Sequence, residues 1–280
     1  MELRCVALSA YAAERLGSPG TYRLSAHFAH VLDLTAGETV LSIQDAAIPR
    51  TPLSLVLEDD DLQYLSRRAG PRSVFTAGGG GLALGDVSIA IRAAERFSCQ
   101  LTACARPPEA IWRRRLRRLA VLMARPGSLT FIAAPELTVW ADGGLTAVQR
   151  EAAALLGLGR PQALVGLGGG LTPAGDDFLV GALAALEWLG SGPVRQELAR
   201  EAAKRLGETP ELSRAFLSRA LAGDYSLPVL DLFAALAAGS ETDLAAAVAR
   251  LCAVGHSSGS DLLGGVLWAL ERNTTWEGNT

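Results

Sequence analysis

This chain has no surplus of positive charge: 26 Lys and Arg stand against 29 Asp and Glu, a formal net charge of −3. Affinity for nucleic acid rests on many cations neutralising phosphates, so a DNA or RNA partner is disfavoured. Cysteine is scarce as well. Cys5, Cys99, Cys104 and Cys252 show neither the C-x-x-C spacing of a zinc or redox site nor the density of a disulfide framework, which fits a reducing cytoplasm. No apolar run reaches the ~18 residues that a membrane helix needs, and Arg4, Glu14 and Arg15 interrupt the N-terminus where a signal peptide requires an apolar stretch. The expectation is therefore a cytoplasmic protein without a membrane anchor. The H-E-x-x-H pair of a zinc-protease helix is also missing.

What is present suits a packed protein, with 49% hydrophobic and 20% charged residues. At 280 residues one core is at the limit of its growth, and two domains are the favoured arrangement. The pattern predicts an α+β chain, with a β-rich N-terminal domain over 1–106 and an all-α C-terminal domain over 107–280. From about Tyr22 to Leu101 short, β-branched, partly alternating pieces are separated by Gly, Pro and Asp, the punctuation of strands and turns. Gly78 to Gly81 lie between two such pieces and read as a hairpin connection, because no helix start follows to make them an anion cradle. His27 and His30 fall in this part, with no carboxylate or cysteine at metal-ligand spacing.

After Pro107 and Pro108 the period becomes helical. Trp112, Leu116, Leu119 and Met123 mark one face, and Arg113, Arg114, Arg115, Arg117 and Arg118 fill the others. This basic patch reads either as a solvated face or as a docking surface for an acidic partner. Thr146 and Gln149 have the spacing of a capping box for a helix running to Leu156. Pro193 and Pro210 suit first helical positions, and further helices are expected near Val229 to Ala238, Leu244 to Ala253 and Ser260 to Arg272.

The most informative stretch is LVGLGGGLTPAGDDFLVGALAALEWLG, residues 164 to 190. A turn of Gly168, Gly169 and Gly170 leads to Thr172 as N-cap and Pro173 at the first helical position, with Asp176 and Asp177 in the first turn. Such a junction gathers unpaired amides and the positive end of a helix dipole, a ready site for phosphate or carboxylate. The plainer alternative is a well-capped helix whose acids complement its own dipole. Gly175 and Gly181 weigh against it, since glycine inside a helix costs about 1 kcal/mol relative to alanine and implies close packing or ligand access. The Lys-Ser/Thr ending of a Walker loop is absent.

A second stretch, GHSSGSDLLGGVLWAL at residues 255 to 270, echoes the first. Gly259, Asp261, Leu263, Gly265 and Leu267 repeat Gly175, Asp177, Leu179, Gly181 and Leu183, giving G-x-D-x-L-x-G-x-L-x-A-L at a separation of 84. Ser257, Ser258 and Ser260 supply N-cap candidates. Either two Ala/Leu-rich helices coincide by chance, or the two helix starts lie together at one cavity with Asp177 and Asp261 equivalent. His256, just before the second start, suits proton transfer, anion binding or a structural hydrogen bond.

The motifs GLGGGLTPAGDDFLVG and GHSSGSDLLGG closely resemble the signatures of the AllH-type subunit family of catabolic oxamate carbamoyltransferase. The resemblance extends more faintly into the β-rich part, where Ser25, Ala26, His27 and Phe28 stand in place of an expected His-Ser pair before Phe, and Gly169 replaces an expected proline. It implies a carbamoyltransferase subunit that works with two other subunit types on small anionic substrates, between oxamate plus carbamoyl phosphate and oxalurate plus phosphate. That reaction, run in reverse, ends anaerobic allantoin breakdown. It assigns Gly168 to Gly170 and Thr172, with Gly175, Ser257, Ser258 and Gly259, to anion binding. Asp176, Asp177 and Asp261 would orient the amide or an Mg²⁺ ion, and Asp177 and His256 would carry the chemistry. A noncatalytic structural or regulatory subunit, and a carboxylase-like or amide-processing enzyme on the same scaffold, are the competing readings.

Overall fold

The computed structural model describes residues 1–101, 107–123 and 146–276. It divides into two compact units, Met1–Cys99 and Gln100–Thr280. The boundary expected at 106/107 falls at the edge of residues 102–106, outside the described ones, as does Cys104.

The first unit holds β1 (Glu2–Ser9), α1 (Ala10–Leu16), β2 (Gly20–His27), β3 (Val31–Ala36), β4 (Thr39–Gln44), β5 (Ser54–Leu57), α2 (Asp59–Arg68), β6 (Val74–Gly78), β7 (Gly81–Leu84), β8 (Val87–Ala90) and β9 (Glu95–Phe97). The strand order is β5-β4-β3-β2-β6-β7-β8-β1, closed by β1 against β5, with β9 alongside β1. Closure leaves no open edge among those eight strands. Alternation places Phe75 and Ala77 of β6 inward, joining Leu3, Leu34, Ile43 and Leu55 in one apolar interior. The glycine run closes the β6–β7 hairpin as expected: Gly78 pairs with Gly81, and the two residues between, Gly79 and Gly80, take φ of 63° and 87°. Only glycine adopts that pair of values without strain.

Strand β1 and helices α1 and α2 are additions to the sequence reading. Ser9 caps α1 by accepting the Ala12 amide at 3.0 Å. Helix α2 opens on Asp59, Asp60 and Asp61 and closes on Arg67 and Arg68, charges that match its dipole at both ends. Cys5 and Cys99 are buried free thiols, and burial pushes the Cys5 thiol up to about 11, so it behaves as a small apolar side chain.

The second unit is helical, as the period predicted: α3 (Glu109–Met123), α4 (Ala147–Gly157), α5 (Ala174–Trp188), α6 (Gly192–Ala203), α7 (Glu211–Leu221), α8 (Leu227–Ala238), α9 (Glu241–Cys252) and α10 (Ser258–Trp276). Thr146 and Gln149 form the reciprocal capping box at the start of α4. Pro210 sits one place earlier than expected, as the N-cap of α7 rather than inside it. Helix α5 is apolar nearly all round, burying Phe178, Leu179, Ala182, Leu183 and Leu186, and it packs against α6, α7, α8 and α10. Trp112 of α3 stacks on Trp188 of α5 with ring centroids 5.4 Å apart. None of the described helices is long and apolar enough to cross a membrane.

Candidate functional site

At the start of α5 the chain caps itself. The helix begins at Ala174 with Pro173 as N-cap and no side-chain cap, so Thr172 does not hold the capping role assigned to it. The first-turn amides are taken by local carbonyls instead: Gly175 N–H by Leu167 at 2.8 Å, and Asp176 and Asp177 by Pro173 at 2.9 and 3.2 Å. Gly168, at φ 117°, passes so close to the Ala174 amide that a Cβ there would lie 2.9 Å from the nitrogen. These helix-start amides are therefore committed within the chain. What stays open is the turn before them, where Gly168, Gly169, Gly170 and Leu171 are exposed and nothing crowds Gly169 or Gly170.

Neighbouring aspartates meet different fates because helix positions one apart point about 100° away from each other. Asp176, 1% exposed, faces α7 and accepts from Gly166 N–H at 2.8 Å, from Ser213 hydroxyl at 2.6 Å and from Thr209 hydroxyl. Its carboxylate is saturated by structural partners, so orienting an amide or Mg²⁺ is not open to it. Asp177 faces α10. Its side chain is bonded to Ser258 and Thr172, and those two hydroxyls lie 2.9 Å apart. Its Oδ2 is sealed from solvent with no hydrogen-bond partner. Burial raises its pKa to about 8, with the negative charges of Asp261 and Asp176 adding to the effect and the two hydroxyls opposing it.

The echo between the two motifs is a real packing relation. A Cβ on Gly181 would overlap the Leu262 carbonyl and meet the Val266 amide at 3.0 Å, while one on Gly265 would overlap the Phe178 carbonyl and meet the Ala182 amide at 2.9 Å. Residues 178 and 182 are the partners of 262 and 266 at the same separation of 84, so α5 and α10 contact each other through an approximate two-fold. The amides repeat the pattern, since Gly259 donates to Val254 as Gly175 does to Leu167. The helices run side by side in the same direction, their starts meet at Thr172, Asp177 and Ser258, and Asp261 (2% exposed) occupies the position equivalent to Asp177.

A cavity of about 620 Å³ lies by the opposite ends of both helices, lined by Leu186, Leu198, Trp268 and Ala269 among others. Tight helix contact at Gly181 and Gly265 excludes such a space from the seam between them. That cavity is lined by neither the Gly168 to Gly170 turn nor Asp177 or Asp261.

Of the remaining sequence candidates, Ser257 supplies its carbonyl to the Asp261 amide at 2.9 Å, and His256 is exposed beside the tight turn at Gly255, φ 60°. Among the described residues, no group of three or more His, Cys, Asp or Glu is placed to hold a metal ion. The β unit adds pairs that spacing did not reveal. His30 Nδ1 lies 2.7 Å from Asp45, and His27 Nε2 lies 2.6 Å from Ser66. Asp45 comes from the end of β4, brought across by the antiparallel β3–β4 ladder that pairs Val31 with Gln44.

Residues 164–270 match the family described as oxamate carbamoyltransferase subunit AllH. The matched span lies within the helical unit, contains both motif-bearing helix starts, and bears out the AllH-type resemblance. No curated protein and no solved structure matches the chain.

Proposed function

We propose that this chain is a cytoplasmic subunit of an oxamate carbamoyltransferase complex, and that the joined starts of α5 and α10 receive its small anionic substrate. The observation that carries this reading is Asp177, a carboxyl with one oxygen sealed and unpartnered where two motif-bearing helices meet, its pKa pushed up by burial to about 8. In phosphorolysis of oxalurate, a phosphate oxygen attacks the carbamoyl carbon, the C–N bond to oxamate breaks, and the leaving nitrogen takes up a proton. The uncharged Asp177 carboxyl supplies that proton by way of the Thr172 and Ser258 hydroxyls bonded to it, and its ionised form recovers one in the reverse direction. The exposed Gly168 to Leu171 turn, rather than the occupied helix-start amides, offers backbone N–H groups to carboxylate or phosphate. Thr172 and Ser258 hold Asp177 in place, and exposed His256 lies within reach of solvent-borne anions.

The test is oxalurate phosphorolysis by the complex reassembled with its companion subunits. Asp177→Asn keeps the shape of a neutral carboxyl but cannot yield a proton, and it should cut kcat by about 10²-fold or more. A turnover equal to wild type would remove this carboxyl from the chemistry. One observation favours a noncatalytic subunit instead, namely that the α5 helix-start amides are already bonded. That reading requires the isolated chain to give no calorimetric heat with carbamoyl phosphate or oxalurate.

A further inference from the structure

The arginine run of α3 splits into two parts with different work. Arg115 turns inward and donates to the carbonyls of Leu236, Ala237 and Gly239 at 2.5, 2.7 and 2.7 Å, closing the C-terminal end of α8. Arg114 pairs with Glu241 at the start of α9 at 3.2 Å. With Trp112 and Leu119 fully buried, these bonds clamp α3 onto the helical unit and fix which face it turns outward. On that outer face Ile111, Arg114, Arg117, Arg118 and Val121 are neighbours at helical spacing. Ile111 and Val121 are 37% and 54% exposed, and Arg117 and Arg118 are exposed with no acidic partner among the described residues.

A solvated basic face needs no isoleucine and valine at its ends, and a chain of net charge −3 gains nothing in solubility from a concentrated positive stripe. Arginine flanked by apolar side chains on a rigid helix is the composition of an interface, and its charge selects the partner. We infer that the outer face of α3 is the surface on which a companion subunit docks an acidic amphipathic segment, its carboxylates over Arg117 and Arg118 and its apolar residues over Ile111 and Val121. The inference rests on the hetero-oligomeric reading above and names the face and the partner chemistry.

It is tested by co-expressing the chain with the companion subunits, isolating the complex through a tag on a companion, and measuring affinity at low and high salt. Wild type should enter the complex with an affinity that falls as salt rises. Arg117→Glu/Arg118→Glu should weaken entry by about tenfold or more, and Val121→Asp should do so with less salt dependence. Both variants should keep the thermal melt and the carbamoyl phosphate heat of the wild-type chain, which separates docking from folding and from the site at α5. If the charge-reversed chain joins the complex with unchanged affinity and salt response, the docking face is wrong while the subunit reading stands. If wild type itself fails to join, both fall. If the substitutions alter only self-association, the occupant is a second copy of this chain and the acidic companion is excluded.

Discussion

Alanine at Gly181 or Gly265 separates two opposing effects whose sizes can be worked out. Alanine is the better helix former by about 1 kcal/mol, so propensity alone makes each substitution stabilising. Against that, the new methyl at 181 would overlap the Leu262 carbonyl group, with its carbon 2.8 Å away, and the methyl at 265 would overlap that of Phe178, with its carbon 2.7 Å away. The obstructing atoms are helix backbone, which cannot rotate aside as a side chain does. The helices must separate, loosening contacts along Phe178, Leu263 and Val266. Overpacking of this kind costs about 1–3 kcal/mol and more where backbone must move. With the cost at the top of that range because backbone must move, subtracting the propensity gain of about 1 kcal/mol leaves an expected net destabilisation of about 2 kcal/mol for each variant. The double variant should lose less than the sum, because the first methyl already parts the helices. Gly157, at the end of α4 with open space around its Cβ position, is the control and should be neutral or slightly stabilised as alanine. Urea unfolding followed by tryptophan fluorescence reads out the helical unit, since all five tryptophans, Trp112 to Trp276, follow residue 99. If Gly181→Ala and Gly265→Ala are as stable as wild type while the control behaves, the reciprocal helix contact is refuted.

Because the folded state raises the Asp177 pKa from 3.8 to about 8, it binds more protons than the unfolded chain between those values, and that contribution to stability falls as pH rises across the window. Asp177→Asn removes the dependence, so its stability should match wild type most closely near pH 4 and gain on it steadily up to about pH 8; parallel stability–pH curves would contradict the assignment. Arg115→Ala should destabilise the helical unit by about 2–3 kcal/mol by leaving the end of α8 without its charged donor, whereas Arg117→Ala should stay within about 0.5 kcal/mol. Equal denaturation midpoints for the two alanine variants would show that Arg115 does not act as the cap.

Local signals are legible in the sequence and long-range ones are not. The change from strand to helix period, the Thr146 capping box and the helix positions all depend on residues within a few places of each other. Barrel closure depends on β1 meeting β5 and β8, whose pairing partners lie some 50 and 86 positions away, and no local pattern announces it. At the site, glycine inside a helix signals close approach, but the approaching atoms, the carbonyls of Leu262 and Phe178, come from a helix distant in the sequence that no local pattern names. Thr172 looked like a cap because it has the right chemistry one place too early. The local carbonyls of Leu167 and Pro173 satisfy the turn, which frees the hydroxyl to bond Ser258 from a segment 86 residues away.

The same rotation that parts Asp176 from Asp177 determines how an anion could be tolerated beside three carboxyl groups. Asp176 is screened by three donors and points into α7. Asp261 is buried, and a negative charge there is one reason that Asp177 keeps its proton. Two parallel helix starts contribute about half a positive charge each, and protonation of Asp177 removes one negative charge from the same place. On the proposed function, the junction is then anion-accepting below pH about 8 and increasingly anion-repelling above it. Linkage makes the relation reciprocal: an anion bound beside Asp177 would raise its pKa further and, on the same proposal, hold the proton where phosphorolysis would use it. A bound cation would act in the opposite sense, displacing the proton and leaving the departing nitrogen without a donor.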